Sequence, residues 1–124
     1  MLIQLCRGKI HRGRITECDP AYEGSLGIDL DFLDATGILP YEKILVVNGT
    51  NGERLETYVI PKERGTGALS LNGPAAMKGR VGDVITVMAF GVFTEDEAVG
   101  FLPRIIVLDE RNKIIERKGA LSKS

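Results

Sequence analysis

Four short segments of this 124-residue chain carry side chains able to do chemistry. The first is Asp19-Pro20-Ala21-Tyr22-Glu23-Gly24-Ser25. A Gly-Ser pair is ordinarily a turn. Here it lies between β-rich runs, and glycine before serine permits backbone geometries closed to other residues. Strain of that kind can press the Ser25 hydroxyl onto the carbonyl before it. The second segment runs from Asn51-Gly52 to Tyr58. Strand spacing puts Arg54, Glu56 and Tyr58 on one face and Leu55, Thr57 and Val59 on the other. A cation and a phenol on one face suit an anionic substrate that also needs a proton. A solvated hairpin face fits the same pattern equally well. The third is Lys9-Ile10-His11, where Lys9 and His11 share a face; a polar edge that blocks sheet pairing is the plainer reading. The fourth is Leu71-Asn72-Gly73-Pro74-Ala75-Ala76, a turn into a short helix. Free N–H groups there suit an anion, although an ordinary turn is commoner and Pro74 removes one donor.

Other chemistries have little to work with. Cys6 and Cys18 are the only cysteines, at no metal or redox spacing, and read as half-buried thiols. His11 is the only histidine, so a zinc site built mainly of histidines cannot form within one chain.

The elements that must hold these groups are mostly strands. Leu2 to His11 and Arg14 to Cys18 read as the first two, broken by Arg12-Gly13. Asp31 to Thr36 reads as a short helix stopped by Gly37. Lys43 to Val47 and Arg54 to Ile60 flank the Asn51-Gly52 hairpin turn, and Pro61 ends the second of them. Ala68 to Leu71 is short. Val84 to Phe90 is continuously apolar, as for a strand buried on both faces. Thr94 caps a helical turn begun by Glu95-Asp96-Glu97. Ile105 to Leu108 and Ile114-Ile115 close the series, with a loose tail from Lys118. Many short strands, few helices and fifteen glycines predict a mainly β chain and a small closed barrel.

Length predicts one domain, residues 1–124. Apolar residues at 44% and charged residues at 27% argue against disorder. A net charge of −1 gives no general attraction to nucleic acid or acidic membranes. No apolar run reaches membrane-spanning length and the first residues lack the order of a secretory signal, so the expected location is cytoplasmic.

Taken together, the segments resemble the aspartate 1-decarboxylase family of pantothenate synthesis. The likeness runs through Lys9-Ile10-His11-Arg12, Tyr22-Glu23-Gly24-Ser25, Ile28-Asp29, Asp31-Phe32-Leu33-Asp34 and Gly37-Ile38-Leu39. It continues through Asn51-Gly52, Arg54, Thr57-Tyr58, Glu63-Arg64-Gly65, Asn72-Gly73 with Ala75-Ala76, and Val81-Gly82-Asp83. Their order and spacing are more specific than any one piece. The resemblance implies a six-stranded double-psi β-barrel, with Gly82-Asp83 as its Gly-Asp box, and a homotetramer with active sites between subunits. Val47 departs from the tryptophan of some members, and its place in an apolar strand gives it a core role.

The resemblance also implies a mechanism. Decarboxylation of an amino acid leaves a carbanion, which needs an electron sink. In this family the sink is a covalent pyruvoyl group made from the serine, with neither metal nor PLP. Ser25 attacks the Gly24 carbonyl and forms an ester; elimination and hydrolysis then leave pyruvoyl and ammonia. The products are a 24-residue β chain, residues 1–24, and a 100-residue α chain, residues 25–124. Substrate is held as a Schiff base on the pyruvoyl group. Tyr58 is the implied proton donor, and Thr57 assists maturation and substrate binding. A tight ion pair to the departing carboxylate would stabilise the ground state, so Arg54 is expected on the retained β-carboxylate. Lys9 and His11 add positive potential, and Asn72, Gly73, Pro74 and Ala75 orient substrate. The substrate is L-aspartate and the products are β-alanine and CO2. Relatives leave open both spontaneous cleavage and cleavage aided by an accessory maturation factor. Two readings compete. Another pyruvoyl decarboxylase acting on a basic amino acid would want acidic pocket residues, against Lys9, His11 and Arg54. A non-enzymatic binding module would remain one intact chain.

Overall fold

A computed structural model describes residues 1–119. In chain order its elements are β1 (Leu2–Arg14), β2 (Glu17–Asp19), β3 (Ser25–Asp29), α1 (Leu30–Thr36), β4 (Lys43–Asn48), β5 (Arg54–Lys62) and β6 (Leu69–Asn72). A 3-10 helix (Gly73–Lys78), β7 (Val84–Thr94), α2 (Glu95–Ala98), β8 (Arg104–Leu108) and β9 (Ile114–Lys118) follow. The mainly β class with short helices agrees with expectation. Among the described residues, no helix is long and apolar enough to cross a membrane.

All nine strands share one sheet, in the order β2-β6-β3-β5-β4-β7-β1-β8-β9. Its ladder is open at β2 and β9, so the closed barrel expected from composition is not completed by strand pairing. The sheet nonetheless curls. β1 and β2 are six places apart in strand order, about 29 Å in a flat sheet. Only Ile15 and Thr16 separate them along the chain, a reach of about 10 Å. Those two residues stitch the curl: Thr16 N–H donates to the Leu69 carbonyl (2.8 Å) and Ile15 N–H to that of Asp83 (3.0 Å).

The inner face of the curl is the core. Ile10, Leu26, Val59, Leu69, Val87 and Ile106 are all fully buried, and Phe32 and Leu33 of α1 pack onto the same cluster. α1 forms where expected. Asp29 caps it by accepting from Asp31 N–H (2.7 Å), and Gly37 ends it at φ 77° with its N–H on the Leu33 carbonyl. The same Asp29 carboxylate accepts from Gly65 and Gly67 N–H, which ties the helix start to the β5–β6 connection. α2 carries the expected Thr94 cap, with Glu97 completing a capping box.

Five expectations of detail need correction. Arg12-Gly13 does not break the first strand: Arg12 takes φ 63° within an irregularity between Ile10 and Gly13, and β1 runs on to Arg14. Pro61 does not end β5, which continues to Lys62 with Pro61 opposite Ile28. The N–H of Val59 points to the β4 side, onto the Glu42 carbonyl, so the nitrogen of Pro61 points there too, beyond the last β4 partner. β7 is not buried on both faces. Ile85, Val87 and Ala89 are buried, whereas Phe90 is 38% and Val92 63% exposed on the outer face. Val47 is not core either: Ile44 and Val46 face inward, and half-buried Val47 lies on the outer face opposite Arg54. Lys118 belongs to β9, and residues 120–124 of the expected loose tail lie outside the described residues.

Candidate active site

Ser25 is the first residue of β3 and is completely buried, though it is polar and faces away from the core. Strand alternation explains the direction. Leu26 and Leu71 are register partners on the core side, so Ser25 and its partner Asn72 both project outward. The Asn72 Nδ2 donates to Ser25 Oγ at 3.0 Å. Ser25 Oγ donates in turn to the Glu23 carbonyl at 3.2 Å, which turns the hydroxyl back toward the loop that precedes it.

Gly73 secures that peptide from behind. It sits at φ 73°, and a Cβ there would come within 2.6 Å of both the Cα and the nitrogen of Gly24. Glycine is therefore required by contact as well as by conformation. Gly24 itself is open, with no atom within 4 Å of a built Cβ. The loop before it is pinned by Asp19, whose carboxylate accepts from Ala21 N–H (3.1 Å) and whose carbonyl accepts from Tyr22 N–H (3.3 Å). Lys62 stands over the Tyr22 ring, 5.9 Å from its centroid.

Tyr58 reaches the same level from the other side. β3 and β5 run parallel with Leu26 opposite Val59, so one step earlier Ser25 comes level with Tyr58. Arg54, Glu56 and Tyr58 share the outer face, as expected; Glu56 spends its charge on Lys43 (3.1 Å). Thr57 faces inward, opposite buried Ile44. Pro74 and Ala75 begin the 3-10 helix just after Gly73.

The remaining candidates do not join this cluster. Arg54 is four residues from Tyr58, about 13 Å along the strand. Lys9 and His11 lie on β1, between β7 and β8, on the outer face. Among the described residues neither Lys9 nor Arg54 has an ion-pair partner. The His11 Nδ1 is buried without a hydrogen-bond partner. Burial lowers the pKa of His11, and the charges of Lys9, Arg12 and Lys118 lower it further. The two thiols are free, and burial raises both.

Sequence reasoning missed two side chains. Ser70 is 2% exposed; its hydroxyl lies 3.0 Å from Glu17 Oε1 and 3.4 Å from Asn72 Oδ1. No motif marks either residue. Period-two spacing from Asn72 back to Ser70 is the only signal available, and it becomes readable once β6 is paired with β2.

Comparison with known proteins bears on this geometry. The family model described as aspartate decarboxylase matches residues 1–115. The aspartate 1-decarboxylase of Carboxydothermus hydrogenoformans is 48% identical over 118 residues, covering 95% of this chain and 93% of that protein. Those of Listeria monocytogenes serovar 1/2a and Bacillus licheniformis are also 48% identical, over 92% and 93% of this chain and 90% and 91% of their own.

Proposed function

The chain belongs to the aspartate decarboxylase family, and from that premise we propose that it is a carboxy-lyase converting L-aspartate to β-alanine and CO2. The observation that carries the reading is Ser25: a buried, outward-facing serine held by Asn72 against the preceding backbone, with Gly24 pressed on Gly73. That is a fitting precursor for a pyruvoyl group. Self-cleavage of one domain would yield chains 1–24 and 25–124. In the first step Ser25 Oγ bonds to the Gly24 carbonyl carbon while the Gly24–Ser25 C–N bond breaks, and the hydroxyl proton ends on the freed amine. The pyruvoyl group, once formed, supplies the electron sink for the carbanion left by CO2.

The chain's own residues do the rest. Tyr58, level with Ser25, donates a proton to the substrate Cα. Arg54 grips the retained carboxylate with its bidentate fork. Lys9 raises the positive potential around an anionic substrate, His11, held neutral by its burial and its cationic neighbours, helps to position it, and Asn72, Gly73 and Ala75 line its other side. The family role for Thr57, assisting maturation through its hydroxyl, is not carried by the outer face, because Thr57 points inward opposite Ile44. Such a division needs more than one chain, because Arg54 and Lys9 are remote from Ser25 within a protomer. A homotetramer with sites between subunits is supported by the half-exposed apolar outer face of β7. The curl of the sheet and the parallel pairs β3–β5, β2–β6 and β1–β8 support a double-psi barrel. Pantothenate synthesis in the cytoplasm, with or without a maturation factor, is the accompanying setting.

Borohydride reduction in the presence of aspartate tests the substrate. The expected result is a substrate-derived amine linked to the α chain at the residue derived from Ser25. An α chain that carries only a pyruvoyl group reduced to lactoyl, with no substrate-derived mass, rejects aspartate as the substrate.

A further inference from the structure

Two successive rows of residues cross the outer face of the β2–β6–β3 strip. One is Asp19–Asn72–Ser25; the next, two residues along each strand, is Glu17–Ser70–Gly27. Period two puts both rows on the same face. Gly27 contributes no side chain to its row, and a Cβ there would come within 3.2 Å of the Ser70 Cβ. Ser70 is thus buried between Glu17 and Asn72, the two acceptors its hydroxyl meets among the described residues, with the Lys62 side chain lying over Gly27.

A hydroxyl has one proton to donate. Given to Asn72 Oδ1, it fixes the amide with its NH2 toward Ser25 Oγ, the orientation in which Ser25 directs its own proton to the Glu23 carbonyl. Given to the Glu17 carboxylate, it leaves Asn72 Oδ1 without that donor, and the bond from Nδ2 to Ser25 Oγ alone then sets the amide's orientation. The charged acceptor is the stronger competitor. The Glu17 contact is shorter than the Asn72 contact, 3.0 against 3.4 Å, as that competition requires.

We propose that Ser70 is a positioning residue for self-cleavage, acting through Asn72 on Ser25, and that Glu17 restrains it by competing for the same proton. The proposal rests on the self-cleavage reading above and names what governs its rate. Replacing Glu17 by glutamine changes the balance, because the new amide NH2 donates to Ser70 Oγ and releases the Ser70 proton to Asn72.

The test follows conversion of the uncut chain to its two pieces in cells expressing the full-length protein, by pulse labelling and mass. Ser70→Ala is expected to slow cleavage by less than about tenfold, the worth of one full hydrogen bond, because Glu17 already draws part of the Ser70 proton away. Ser70→Thr, which keeps the hydroxyl, is expected to cleave near the parental rate. Glu17→Gln is expected to cleave faster than the parent, a gain that a merely structural role for Glu17 does not produce. Should Ser70→Ala fail to fold, the Ser70→Thr and Glu17→Gln rates still decide. Parental rates in Ser70→Ala, or a Glu17→Gln rate at or below the parent's, overturn the proposal. A parent chain that never cuts overturns the self-cleavage reading itself, which separates the two failures.

Discussion

The Ser25 hydroxyl shows how much one residue's surroundings decide. It is buried, takes one hydrogen bond from Asn72 and gives one to the Glu23 carbonyl. Ser25→Ala is therefore expected to stay one uncut chain with no decarboxylase activity. Tyr58→Phe removes a proton and no packing; it should still be cleaved yet lose roughly 10²–10⁴ in kcat, the usual range for a general acid. Normal turnover in Tyr58→Phe would assign the proton elsewhere. Arg54→Lys should raise KM for aspartate as the bidentate fork is lost, and an unchanged KM and kcat would reject that role. His11 gives a pH prediction with a definite sign. Burial, then the neighbouring positive charges, hold its pKa below the ordinary 6.5. The stability that comes from keeping the ring neutral is complete above pH 6.5 and is lost as pH falls through the lowered value. An NMR titration should place the midpoint below 6.5, with Lys9→Gln moving it upward; a midpoint above 6.5 contradicts the arrangement.

Strands and turns set what those residues can reach. The sequence made Ser25, Asn72 and Tyr58 visible because each sits in a short segment of distinctive spacing. It also marked the Asn51-Gly52 turn, the α1 stop at Gly37 and the Thr94 cap, all signals contained within a few residues. Pairings between distant strands were not legible. Glu17 opposite Ser70 joins positions 53 apart, and nothing local announces it. The errors at Pro61 and Arg12 have the same origin. Whether a proline nitrogen or a left-handed residue ends a strand depends on the neighbour it faces, and that neighbour comes from elsewhere in the chain. Asp29 illustrates an element held by such distant contacts. Its buried carboxylate serves the α1 cap and the N–H groups of Gly65 and Gly67. Asp29→Ala should cost about 2–4 kcal/mol, combining a lost cap with stranded donors. Denaturant unfolding of the variant in a Ser25→Ala background measures this, and a loss below 1 kcal/mol would mean that solvent replaces those bonds.

At the scale of the whole molecule, the sheet has two unlike faces. The inner face is a continuous apolar core. The outer face carries Ser25, Tyr58, Arg54 and Lys9 beside the half-exposed apolar stripe of β7. The sequence suggested that β7 is buried on both sides, and its apolar run is real; one chain covers only one side of it. That mismatch is what a subunit interface would resolve, so Phe90→Glu should give a smaller assembly by native mass spectrometry. A parental assembly mass in this variant would remove β7 from the interface. The proposed chemistry begins at the Gly24–Ser25 bond, and the intact mass of the purified protein under denaturing conditions tests it most directly. The prediction is two chains, residues 1–24 ending in a free carboxylate and residues 25–124 beginning with a pyruvoyl group in place of serine. A single 124-residue chain bearing an unaltered Ser25, together with full decarboxylase activity, would contradict it.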